Sequence, residues 1–185
     1  GYYSNHKYNF NKLIENLLQN KKIIALDVGA QGGFNSDNFF PSKYNNFFEN
    51  ILVEPIKSEA DKLNDKKYII KKGLWSKKGK KKLYILDKRL GSSSMYMPDK
   101  RAFDLHNIDK KDFDEYQVTR TVEVECDTIS NQLAELDIDF LDYLKIDTQG
   151  AELEILKGIG KYRPLLIKIE VHLFSMYRDV PSWHE

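Results

Sequence analysis

The sequence predicts an α/β protein built on a mostly parallel sheet with helices on both faces, and three observations predict it. Apolar runs of strand length, at 23–28, 50–54, 68–70, 143–147 and 165–171, alternate with segments whose apolar residues recur at helical spacing. The first run, Ile23-Ile24-Ala25-Leu26, leads into a glycine-rich turn, Asp27-Val28-Gly29-Ala30-Gln31-Gly32-Gly33. The second, Ile51-Leu52-Val53, ends in Glu54-Pro55. A sheet of this class presents bare backbone to a nucleotide-like ligand through such a turn, and an acidic tip on the next strand is placed to accept hydrogen bonds from ribose hydroxyls.

Taken in order, Phe10, Leu13, Ile14, Leu17 and Leu18 mark an amphipathic helix, and Lys21-Lys22 sit where the helix dipole favours cations. Strand one follows at 23–28. A short helix after the glycine turn stops near Pro41. Strand two, a helix with Ala60 and Leu63 inward, and a strand at 68–70 complete the first half. The middle breaks this rhythm. Residues 80–86 predict a strand after the Lys78-Gly79 turn, in a hairpin with the segment around Leu74-Trp75. Residues 87–117 show no clean period and contain Gly91-Ser92-Ser93-Ser94-Met95-Tyr96, the composition of a binding loop or lid. Alternation returns at 119–126, with Val122 and Val124 on one face, and Asp127 opens a short helix through Leu133 and Leu136. Then come strand 143–147, a glycine turn at Gly150, a helix with Leu153, Leu156 and Ile159, and a strand opened by Arg163-Pro164.

The chain has 185 residues, 41% hydrophobic and 31% charged, which suits a single globular domain. Its formal net charge of +1 argues against nucleic acid as a general partner. The lysine clusters at 66–67, 71–72 and 77–82 read as solvated or protective edges. No apolar run reaches the roughly 20 residues of a membrane span, and no signal-like segment precedes the first helix. Cys126 is the only cysteine and sits in a strand-like stretch, so a packed thiol and a reducing, cytoplasmic location are expected.

Spacing narrows the ligand. A dinucleotide site needs glycines that here would fall at positions 31 and 34, which are Gln31 and Phe34; a Gly-Lys-Ser/Thr phosphate loop is also absent. The pattern Asp27, Gly29, Gly33 fits S-adenosylmethionine, which carries no phosphate and needs close backbone approach without an anion cradle. Strand endings nominate the reacting groups: Asp147 after strand four, with Lys145 on the same side, and Glu170 and His172 after strand five, with Lys168. One reading has Lys145 and Lys168 neutralising Asp147 and Glu170. Another makes Asp147 or His172 a general base beside Glu170. A third lets the trio bind magnesium or manganese, although no tight ligand spacing supports it.

These residues resemble the FkbM-type S-adenosylmethionine-dependent methyltransferases over residues 22–172. The resemblance is carried by the glycine turn, Val53-Glu54-Pro55, Gly73-Leu74-Trp75-Ser76 with the Lys78-Gly79 turn, and above all residues 144–158, LKIDTQGAELEILKG. It implies a Rossmann-like class I methyltransferase fold and methylation of a hydroxyl oxygen on a sugar or secondary metabolite. It also implies S-adenosylmethionine as cofactor, with Asp27, Gly29 and Gly33 at its methionine end and Glu54 at its ribose. Gln31 stands where family members often have asparagine. The expected organisation is an N-terminal helix (1–21), a cofactor-binding half (22–76), a hairpin and candidate acceptor loop (77–126) and a second half (127–185). That half ends early for a sheet that usually closes with a terminal strand pair. An unfinished sheet edge invites pairing into a homo-oligomer, and a small-molecule or glycan acceptor is the expected partner. A cofactor-binding subunit without catalysis and an NAD-dependent oxidoreductase are the rival readings.

Overall fold

A computed structural model describes residues 10–29, 42–63, 67–106 and 109–181. Helix α1 (Phe10–Leu18) precedes β1 (Ile23–Val28), β2 (Phe48–Val53), α2 (Lys57–Ala60), β3 (Tyr68–Ile70), β4 (Gly73–Leu74) and β5 (Gly79–Ile85). Next are α3 (Lys100–Leu105), α4 (Lys110–Glu115), β6 (Arg120–Asp127), α5 (Ile129–Glu135), β7 (Tyr143–Ile146), α6 (Glu152–Lys157) and β8 (Leu166–Ile169). Five strands form an all-parallel sheet in the order β3-β2-β1-β7-β8, so the expected α/β, Rossmann-like sheet is present. The chain reverses its direction of travel across the sheet between β1 and β7, the kind of switch point beside which such sheets bind ligands.

The central strands are apolar because both faces are covered. Leu26, Ile51, Leu144 and Ile146 are fully buried and share one core with Ile129, Leu133 and Ile155 of the flanking helices. A charged pair interrupts that core. The β1–β7 register sets Asp27 opposite Lys145, and Lys145 Nζ lies 3.3 Å from Asp27 Oδ1 with both residues buried. Lys145 therefore serves the neighbouring strand, not Asp147 two residues along its own. The reading in which Lys145 neutralises Asp147 is corrected by this register.

Strand β5 departs from expectation. It pairs antiparallel with β6 over Gly79–Ile85, while β4 pairs parallel with the far side of β6, giving a second sheet in the order β4-β6-β5. The local turn at Lys78-Gly79 suggests a hairpin with residues 74–75, but the alternating strand β6 takes the place between them. The lysines of β5 meet this sheet's own partners: Lys80 Nζ is 2.8 Å from Glu123, and Lys81 lies 4.2 Å from the centre of the Trp75 ring. Cys126 is a packed thiol, its Sγ 4.0 Å from Met95 Sδ, and burial pushes its pKa up to about 11. Helix α5 begins one step later than expected. Thr128 is its N-cap, accepting from Asn131 N at 3.0 Å, and Asp127 ends β6.

Residues 87–117 are not formless. Helices α3 and α4 have six residues each, too short to display a period, and Asp99 and Asp109 cap them by accepting from the amides two residues on. Phe103 of α3 anchors a small second core with Met176 and Tyr177, joined by Phe113 and Tyr116. The segment after β8 thus returns across the protein. Asp99 N donates to Met176 O and Arg178 N to Met97 O, each at 2.8 Å. Among the described residues, β8 borders the sheet, and its Leu166 and Ile167 remain partly exposed. No helix among the described residues is long and apolar enough to cross a membrane.

Candidate functional site

The carboxyl ends of β1, β2 and β7 converge on a cavity of about 290 Å³. Its floor is Val28 and Gly29; Glu54 and Glu59 stand on one side, Asp147 and Thr148 on the other. Leu83, Ile85 and Met95 close it from β5 and the loop that follows.

Gly29 is needed for a geometric reason. Its φ is +90°, and a Cβ there would lie 1.7 Å from the carbonyl oxygen of Asp147. The Asp147 amide donates to the Val28 carbonyl at 2.9 Å, so the tips of β1 and β7 are drawn together across a residue that has no side chain. Glu54 continues β2, its amide donating to Ile70 O at 2.9 Å. Its carboxylate accepts the Ile56 amide, also at 2.9 Å, which fixes the side chain at the cavity wall. Burial pushes the Glu54 pKa up, the Ile56 hydrogen bond opposes that, and the nearby charge of Glu59 adds to the rise. A carboxylate in that state gains from hydroxyl donors or a cation beside it.

Asp27 is not among the lining residues; it lies buried in β1 against Lys145, under the strand end that carries Gly29. Gln31 and Gly33 fall outside the described residues, as does the short helix expected before Pro41.

The three proposed reacting residues divide between two spaces. Asp147 lines the cavity, whereas Glu170 and His172 line an adjoining groove of about 380 Å³ between α6 and the segment after β8. The two spaces are joined chemically. Gln149 Nε2 donates to Asp147 Oδ1 at 3.1 Å and to Glu170 Oε2 at 2.7 Å, and the neighbouring Asp147 carboxylate, with burial and the charge of Glu152, raises the Glu170 pKa to about 7. His172 Nε2 stands 3.8 Å from Glu170 Oε2 and does not reach the cavity. Among the described residues no three His, Cys, Asp or Glu side chains converge as a metal-ligand set.

Glu152 and Glu154 have structural partners. Glu152 accepts from the amides of Thr148 and Gly150 at 2.9 Å, and Glu154 accepts from Ser76 Oγ at 2.5 Å and pairs with Lys157. The serine-rich loop does reach the site: Ser93, Ser94 and Met95 line the cavity. Ser94 pairs with Tyr84 of β5, and its hydroxyl donates to the carbonyl of Gln149 at 2.8 Å. Sequence reasoning missed Gln149 and Tyr177. Both are buried and line the groove, Tyr177 donating to Ser92 O at 2.6 Å. Gln149 lay inside a recognised block and could have been weighed for its place beside Asp147; Tyr177 gave no periodic signal.

A parallel sheet with its switch point beside Gly29 and an acidic strand tip defines a Rossmann-like α/β fold. Residues 27–185 match the methyltransferase FkbM domain, and the chain belongs to that family of methyltransferases. Comparison with curated proteins and with solved structures finds no match.

Proposed function

We propose that this methyltransferase uses S-adenosylmethionine and methylates a hydroxyl oxygen of a small-molecule or glycan acceptor, with Asp147 taking the proton. The observation that carries the reading is the charge of the cavity wall: three carboxylates, Glu54, Glu59 and Asp147, face one guanidinium, Arg120. Arg120 is itself 3.3 Å from Asp87. Such a wall repels a pyrophosphate and suits a ligand bearing an ammonium and a sulfonium. When bound, that cofactor supplies an electrophilic methyl group. Glu54 holds the ribose hydroxyls, and the bare backbone of Gly29 permits close approach on the floor. Asp27, anchored by Lys145, supports the strand end that carries Gly29, and Gln31 and Gly33 are assigned to the same ligand by their place in the sequence motif.

Asp147 stands opposite Glu54 at the rim shared with the serine loop. A hydroxyl is a weak nucleophile, so the residues here contribute by orienting it in line and by receiving its proton. Glu170 is linked to Asp147 through the Gln149 amide, which donates to both, and His172 flanks Glu170.

Calorimetric titration with S-adenosylhomocysteine, with NADH as control, tests the cofactor. Binding of the first alone is expected; binding of NADH alone would overturn the reading in favour of an oxidoreductase. Glu54→Ala should weaken S-adenosylhomocysteine about 10–100-fold, the scale of one or two charge-assisted hydrogen bonds. Unchanged affinity would remove Glu54 from the site. Asp147→Asn should keep that affinity and lower labelled-methyl transfer to a screened hydroxyl acceptor by about 10²–10⁴-fold, the usual worth of a general base. Transfer at the wild-type rate would assign the proton elsewhere.

A further inference from the structure

Gln149 makes more directed contacts than its place in a turn requires. It is buried, with φ +59°, a left-handed conformation unusual for a side chain of its size. Its Nε2 donates to Asp147 Oδ1 at 3.1 Å and to Glu170 Oε2 at 2.7 Å. One amide nitrogen has two hydrogens, and both are spent on the two carboxyl groups. The backbone carbonyl of the same residue accepts the Ser94 hydroxyl from the cavity loop. On its other side, Oε1 is 3.4 Å from the Tyr177 hydroxyl, whose shorter bond goes to Ser92 O.

Two neighbouring carboxylates repel, and each gains from a donor. Here a single amide nitrogen supplies a donor to both. From this geometry we propose that Gln149 is a positioning residue, holding the Asp147 and Glu170 side chains together through its one amide nitrogen and tying them to the serine loop through Ser94, which lines the cavity. The inference rests on the reading above in giving Asp147 its task, but the arrangement itself does not depend on the acceptor.

The charged surroundings of the pair come from several elements. Glu152 of α6 adds negative charge, His172 lies 3.8 Å from Glu170, and Tyr177 contributes a neutral hydroxyl from the C-terminal segment. Lys145 and Lys168 face each other one step back on β7 and β8, with Lys145 directed to Asp27. Gln149 is the group that donates to both carboxyls.

Nuclear magnetic resonance of the full chain tests this without any acceptor. In wild type, the side-chain amide ¹⁵Nε2 signal of Gln149 is expected to move with pH at the same midpoint as the Glu170 carboxyl carbon. An amide signal that stays still through that titration would overturn the proposal. Gln149→Asn keeps a residue tolerant of left-handed backbone but shortens the reach by one methylene. It should raise the midpoint of Glu170 by about 1–2 pH units, the scale of one lost hydrogen bond to a charged group. A folded variant with an unmoved midpoint would reduce Gln149 to a turn residue. Calorimetry with S-adenosylhomocysteine on the same two proteins separates the readings: retained binding in Gln149→Asn is expected, while failure of wild type to bind would strike the cofactor assignment and leave the amide result standing.

Discussion

Lys145→Ala should destabilise the domain by about 3–5 kcal/mol, the usual cost of removing one partner from a buried ion pair. Few single domains hold more than 5–15 kcal/mol in reserve, so the variant should melt far below wild type or fail to fold at 37 °C. The reason is Asp27, which is wholly buried in the adjacent strand β1 and sits 3.3 Å from the ammonium. Deprived of it, the carboxylate is left in a low-dielectric interior. Thermal melts check this. The double variant Asp27→Leu with Lys145→Met replaces the pair by apolar side chains of similar volume and should recover much of the loss. That double variant also asks a functional question. If it folds and still binds S-adenosylhomocysteine, Asp27 supports the floor of the site; if it folds and does not bind, Asp27 touches the cofactor. A Lys145→Ala protein as stable as wild type would mean that the pair contributes nothing, and that the carboxylate finds compensation elsewhere.

This pair shows where the sequence was legible and where it stopped. The parallel strands were plain because strands covered on both faces must be mostly apolar, as 23–28 and 143–146 are apart from Asp27 and Lys145. Gly29 and the Glu54 tip were plain because a glycine and a carboxylate directly after apolar runs are signals of residue type, and both line the cavity. Register was not. More than a hundred residues separate Asp27 from Lys145, and nothing local says that they face each other, so the lysine was matched to the nearer Asp147. The β5 hairpin failed for the same reason: a tight turn is a local signal, while the insertion of β6 between β4 and β5 is a long-range one. Asp147, Glu170 and His172 were nominated from strand endings alone. Their division between cavity and groove depends on the chain after β8, where Tyr177 packs into an aromatic cluster that carries no periodicity. Gln149 went unweighed because an uncharged amide looks like turn chemistry until its two carboxyl partners are seen together.

Gly29→Ala is the sharpest test of the site's geometry, and its expected result is loss of S-adenosylhomocysteine binding by about 100-fold or more, the scale of misplacing a site by about 1 Å. Two independent costs act at once. At φ +90° an alanine is strained by about 1–3 kcal/mol whatever surrounds it. Its Cβ would also fall 1.7 Å from the Asp147 carbonyl oxygen, and that obstacle is backbone, which cannot swing aside as a side chain would. Relief requires the tips of β1 and β7 to part, breaking the 2.9 Å bond from the Asp147 amide to Val28 O. The movement would displace the cavity floor and Asp147 together, so cofactor binding and methyl transfer should fall in parallel, in contrast to Asp147→Asn, where only transfer falls. Gly79→Ala is the matched control. A Cβ there meets nothing within 4 Å, and neither the melting temperature nor the calorimetric affinity should change appreciably. Wild-type affinity in a folded Gly29→Ala protein would show that the ligand does not use this strand junction. The cavity at the ends of β1, β2 and β7 would then lose its claim to be the cofactor site.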